Sequence, residues 1–212
     1  MTERDDSTRT QILAHAKTLF AAQGYDGTSV RDIVNAAGVN VSLVSYHFGG
    51  KDGLYRECIK QAGTTRLAIA KECLTAPSSA DDVATKIRIY VERSLGAIAN
   101  DLETQKIIGI ELDLGRSFFS DILEDVFLKI HETVATFMAA AQAKNLVRAD
   151  MDARLVASMI QGLITNEARV EKIRRCYFDA SIVDTKHRAE CAHNVSELIL
   201  NGVFAPRVTL AR

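Results

Sequence analysis

The sequence predicts an all-α protein with a short three-helix N-terminal domain and a larger helical bundle behind it. Apolar residues recur at three- and four-residue spacing through most of the 212 residues, and the apolar–polar alternation of a strand is missing. Only two prolines occur, Pro77 and Pro206, so residues 1–76 and 78–205 contain none that forces a helix to stop. Glycines and capping residues mark the boundaries instead. Composition agrees with a globular chain, since 47% of residues are hydrophobic, and disorder, a collagen-like fibre and a disulfide scaffold are disfavoured. With 26 Lys+Arg against 27 Asp+Glu the formal net charge is -1, so the overall basic excess of many nucleic-acid binders is absent. No apolar run of about 18 residues occurs and the N-terminus MTERDDSTRT is polar, which predicts a cytoplasmic protein with neither membrane span nor secretory signal. Cys58, Cys73, Cys176 and Cys191 form no CxxC pair and read as reduced structural thiols.

The first helix opens at Ser7 or Thr8, where Thr8 and Gln11 have capping-box spacing, carries Ile12, Ala16, Leu19 and Phe20 on one face, and closes at Gly24. Thr28 and Ser29 offer hydroxyl caps to a second helix with Ile33, Val34 and Ala37 on its apolar face, ended by Gly38. A third starts after Asn40 and stops at Gly49-Gly50. From Lys51 a long helix runs to Ala76-Pro77, and further helices are expected at 80–100, 104–115, 119–145, 151–178 and 185–204, packed as a second bundle. The domain boundary therefore falls between residues 50 and 51.

Residues 29–48, SVRDIVNAAGVNVSLVSYHF, have the form of a helix-turn-helix. Glycine permits the sharp turn, Ala36 and Ala37 permit close helix approach, and Ile33, Val39 and Val44 pin the crossing. The outward positions of the second helix are then free to enter a major groove.

Residues 8–55 as a whole resemble the DNA-binding domain of the tetracycline-repressor-like (TetR/AcrR) family of bacterial transcription regulators. The resemblance rests on the Ile12, Ala16, Leu19-Phe20 stripe, Gly24-Tyr25, Thr28, the Ile33 to Val39 core, Tyr46-His47-Phe48, and Lys51 with Leu54. It implies phosphate contacts from Thr28 at the start of the second helix, from Tyr46 and His47, and from Lys51, with Arg31 near the DNA backbone. It also implies that Val41, Ser42 and Ser45 face the bases. Here the chain departs from many relatives, which carry a basic residue at the place of Val41 and an aromatic one at Ser45. Within residues 1–55 five cations, Arg4, Arg9, Lys17, Arg31 and Lys51, face six acids, Glu3, Asp5, Asp6, Asp26, Asp32 and Asp52, giving -1. Weak non-specific binding and a modest salt slope are expected.

For the remainder, the resemblance implies an effector-binding and dimerisation domain over 51–212, in a ligand-responsive homodimeric repressor of a pseudo-palindromic operator. Its dimer interface would use Leu155, Met159 and Leu163 on one late helix and Val195, Leu198 and Ile199 on the other. The inducer, a small molecule of unknown identity, would meet Tyr90, Phe118, Phe127, His131 and Phe137. No catalytic residue, metal or cofactor is expected. Two other readings are a helical small-molecule-binding or interaction protein without DNA binding and, more remotely, a metal-dependent helical-bundle enzyme. The second would rest on Glu190 with His193 and Asp184 with His187, pairs that share one helix and lack a matching pair elsewhere.

Overall fold

A computed structural model describes residues 3–115 and 120–204. The described residues form helices and connecting turns, and the chain divides into two compact units. Residues 1–65 and 101–126 make the first unit, and residues 66–100 and 127–212 make the second.

In the first unit α1 (Glu3–Gly27) packs on α2 (Val30–Ala37) and on α6 (Leu102–Leu114), and α3 (Ser42–Phe48) and the start of α4 (Lys51–Cys73) complete the group. α1 starts several residues before the expected Ser7, because Asp5 and Asp6 lie where acids complement the positive helix end. At Gly24 the backbone leaves helical geometry, at φ 74 and ψ 176, so the glycine breaks α1 where the sequence places its end. Ile12, Ala16, Phe20, Ile33, Val44, Leu54 and Ile59 are fully buried and form the core of this unit. Tyr55 is buried with them and donates its hydroxyl to the buried Glu111 Oε1 on α6 at 2.6 Å. Asp101 caps α6 by accepting from the Thr104 N–H, and its other oxygen pairs with Lys17 Nζ at 2.5 Å. These contacts group α6 with the N-terminal helices, although the sequence assigns all of 51–212 to one body.

In the second unit α5 (Ala80–Ala99), α8 (Lys129–Ala143), α9 (Ala153–Arg169) and α11 (Thr185–Phe204) form the bundle, with the short α10 (Glu171–Phe178) against α9. The expected helix at 119–145 is instead a single turn, α7 (Ser120–Ile122), a π-helical stretch over Leu123–Leu128, and then α8. Ile122, Val126, Ile130 and Val134 recur every four residues and are all buried. On a regular α-helix that spacing drifts around the axis, and the wider π turn offsets the drift. The expected helix at 151–178 bends at Val170, which separates α9 from α10. Among the described residues no helix is long and apolar enough to cross a membrane.

Candidate nucleic-acid interface

The α2–α3 segment is held by local chemistry at each end. Ser29 caps α2, accepting the Asp32 N–H at 3.1 Å, while Asp32 accepts from the Ser29 hydroxyl at 2.6 Å and its N–H at 3.0 Å. Those bonds, the hydroxyl's foremost, hold the Asp32 carboxyl below the usual carboxylate range. Gly38 ends α2 at φ 65, and the Val39 N–H reaches back to the Val34 carbonyl at 3.1 Å. Asn40 Oδ1 then accepts the Ser42 N–H and hydroxyl, each at 2.9 Å, which fixes the entry to α3.

α3 buries Val44 completely. At about 100° per residue, Ser42 and Tyr46 lie about 160° around the axis from Val44, Ser45 about 100° and Val41 about 60°, and all four are exposed. Tyr46 is 72% exposed. The structure therefore brings together the three residues expected at the bases and one of those expected at phosphates.

His47 turns the other way. Its side chain is only 4% exposed, and Nε2 lies 3.4 Å from Asp5 Oδ1 of α1 without making a hydrogen bond. One position after Tyr46 the helical period carries the imidazole toward α1, which corrects the expectation that it reaches a phosphate from the α3 surface. Thr28 is corrected in the same sense: it is buried, and its hydroxyl donates to the Gly24 carbonyl at 2.8 Å and the Leu19 carbonyl at 3.3 Å. It ties the α1 break together and leaves the cap to Ser29.

Arg31 is exposed on α2. Lys51 is half-buried, its ammonium 4.1 Å from the centroid of the Tyr25 ring, and the Tyr25 hydroxyl donates to Asp52. Arg9 pairs with Glu57 and lies over the Phe48 ring, and Lys17 pairs with Asp101. Arg9 and Lys17 are thus paired with carboxylates within the unit, while Lys51 rests on an aromatic ring.

One determinant escaped sequence reading. A Cβ on Gly53 would stand 1.7 Å from the Phe48 carbonyl oxygen, so the first turn of α4 runs against the end of α3 at a distance only glycine permits. The available signal was a glycine inside a helical run just after Gly49-Gly50.

In the second unit Leu155, Met159, Leu163 and Leu198 are exposed as an interface requires. Val195 and Ile199 are each 5% exposed and face the intrachain core instead, because they share the side of α11 that packs on α5. Of the expected inducer contacts, Tyr90 is buried and its hydroxyl accepts from Gln161 Nε2 at 2.7 Å, and burial pushes its pKa to about 12. Phe127 and His131 are half-buried, and Phe118 lies outside the described residues. Phe137 is buried and lines an open groove of about 480 Å³ with Lys71, Leu74, Lys129 and Thr133. Burial raises the Cys58 thiol to about 12, the reverse of a reactive cysteine.

Residues 12–58 match the sequence profile described as "Bacterial regulatory proteins, tetR family". The chain is similar to the "Probable HTH-type transcriptional regulator YttP" of Bacillus subtilis (strain 168), with 44% identity over 55 residues, 26% of this chain and 27% of that one. It is also similar to the "HTH-type transcriptional repressor KstR2" of Rhodococcus jostii (strain RHA1), at 29% identity over 108 residues, 44% of this chain and 53% of that one. These matches span between about a quarter and about half the length of those relatives. The fold as a whole is similar to the transcriptional regulator FadR of Bacillus subtilis solved with stearoyl-CoA, with a TM-score of 0.73 at 16% identity, covering 91% of this chain and 98% of that one. Residues 12–58 thus match the tetR-family DNA-binding domain, and the fold over nearly the whole length is similar to that of a solved transcriptional regulator.

Proposed function

We propose that the chain is a ligand-responsive homodimeric repressor that binds a pseudo-palindromic DNA operator through α3. One observation carries the reading: Val41, Ser42, Ser45 and Tyr46 stand exposed along a short helix that Val44 locks into the core. Ser42 and Ser45 offer hydroxyls to base edges and Val41 an apolar surface to a thymine methyl. Tyr46, Arg31, Lys51 and the backbone N–H groups at the start of α2 serve the phosphates.

A single seven-residue helix reads few base pairs, so tight binding requires two copies related by a two-fold axis. The exposed Leu155, Met159, Leu163 and Leu198 supply the pairing surface. In functional terms residues 1–50 bind DNA and residues 51–212 bind effector and dimerise. Response to a small molecule is supported by FadR, solved with stearoyl-CoA, and by the groove beside Phe137. A ligand acts there only by favouring one arrangement of the dimer over another. Catalysis has no part in this reading.

Gel-shift titration against the upstream region of the encoding gene and a genomic fragment library tests it. Saturable binding to a pseudo-palindromic fragment is expected, and failure on every fragment overturns the DNA-binding reading.

A further inference from the structure

α10 is amphipathic in the reverse sense to a helix packed on a core. Ile173 is 55% exposed, Tyr177 79% and Phe178 73%, while the residue the helix buries is the charged Glu171. Among the described residues Tyr177 and Phe178 are the two most exposed large hydrophobic side chains. The hairpin that presents them is firmly built. Glu171 accepts from the Ser181 hydroxyl and, at 3.1 Å, from the Ile182 N–H, and Ile182 is fully buried. Arg174 pairs with Glu167 at 2.5 Å and lies 3.9 Å from Glu171. A buried carboxylate with its hydrogen bonds thus fixes a helix whose apolar side chains gain nothing from their own chain.

These side chains follow the exposed apolar residues of α9 across a one-residue bend. Val170, at the bend, keeps right-handed helical geometry at φ -90 and ψ 0. Its N–H bonds the Asn166 carbonyl at 3.0 Å, and its carbonyl accepts the Arg174 N–H at 2.9 Å, so Val170 ties α10 to the end of α9. Ile173 and Tyr177 thus stand on a helix that follows α9 directly and packs against it. Exposed apolar side chains thus recur from Leu155, Met159 and Leu163 on α9 to Ile173, Tyr177 and Phe178 on the adjoining α10. A stable interface takes roughly 20–30 residues a side, with Tyr among its preferred anchors, and the four exposed large hydrophobics of α9 and α11 include no aromatic residue.

We infer that α10 is part of the homodimer interface, with Ile173, Tyr177 and Phe178 seated on a second copy of this chain. This inference rests on the dimer proposed above and adds to it a surface that the two long helices do not supply.

Sedimentation equilibrium of the full chain, with far-UV circular dichroism as a folding control, tests both. Wild type is expected to be dimeric at micromolar concentration, and Tyr177→Glu and Ile173→Glu are each expected to weaken dimerisation at least about 30-fold with unchanged helicity, as Leu155→Glu does. A wild-type dimer whose α10 variants stay within about threefold of its affinity overturns the α10 assignment, whether or not Leu155→Glu loosens it, and leaves that face to a different partner. A monomeric wild type overturns the dimer itself.

Discussion

The α2–α3 segment and the α9–α10 segment both turn an aromatic side chain to solvent, Tyr46 at 72% and Tyr177 at 79% exposure, but they arrive there differently. In α2–α3 every outward residue is set by an inward one: Val44 and Ile33 fill the core, Gly38 sets the turn, and the exposed arc follows. In α10 almost nothing apolar is inward, and the helix is placed by Glu171 and Arg174. On the proposed function, the α3 surface can be polar and small because two copies share the reading of DNA, whereas the α10 surface proposed to bind a second copy withholds apolar area from its own core.

The sharpest way to break this comparison is one substitution made in both units. Gly53→Ala places a methyl against the Phe48 carbonyl, and neither backbone segment can yield, so a loss of about 3 kcal/mol in urea denaturation and of operator binding is expected. Gly96→Ala, within α5 with nothing within 4 Å of the added carbon, is expected to stabilise by about 0.5–1 kcal/mol. Equal effects would mean that the α3–α4 junction is looser than its geometry.

Next in size is Tyr46→Ala, which removes a phosphate-directed hydroxyl from each half of a dimer. Binding to all sequences is expected to fall by about 10-fold or more, with sequence preference retained. Ser45→Ala is expected to change which operator is preferred, and a uniform loss there would take base reading away from α3.

The capping pairs offer a smaller, matched test, since Ser29 with Asp32 and Ser79 with Asp82 share one spacing at the starts of α2 and α5. Ser29→Ala and Ser79→Ala are each expected to cost about 1 kcal/mol in thermal melts. Asp82 is held further down, to about 2, chiefly by Lys86 and then by the Ser78 N–H. Its folded value lies below the ordinary 3.8, so the stabilisation is complete above that value and is lost as pH falls through about 2. The stability gap between wild type and Lys86→Met is accordingly expected to be widest near neutrality and to narrow across that acid range.

The smallest effect concerns salt. If Arg31 and Lys51 neutralise two phosphates per protomer, the log–log salt slope of operator binding is about -4. A slope near about -10 would show that many more cations reach the DNA.

The helix-turn-helix was legible because its signals are local. Ser29 with Asp32, Gly38, Asn40 and Gly49-Gly50 act within four residues of where they stand, and the apolar period between them assigns inward and outward faces. His47 and Thr28 were misplaced because their surroundings are remote in sequence: Asp5 lies 42 positions before His47, and the break at Gly24 draws the Thr28 hydroxyl back to α1. Val195 and Ile199 are buried within the single chain for a related reason, since an apolar stripe does not say whether its partner belongs to the same chain.

The sequence by itself determined that this chain is helical, where its glycine breaks at Gly24, Gly38 and Gly49 fall, and that Val41, Ser42, Ser45 and Tyr46 face outward, because each depends on interactions within about one helical turn. Only the tertiary structure decided that α6 joins the N-terminal helices, that Gly53 must lack a side chain, that His47 faces α1, and that α10 shows its apolar side to solvent. Those outcomes depend on which distant segment arrives against a given face, and periodicity carries no record of that.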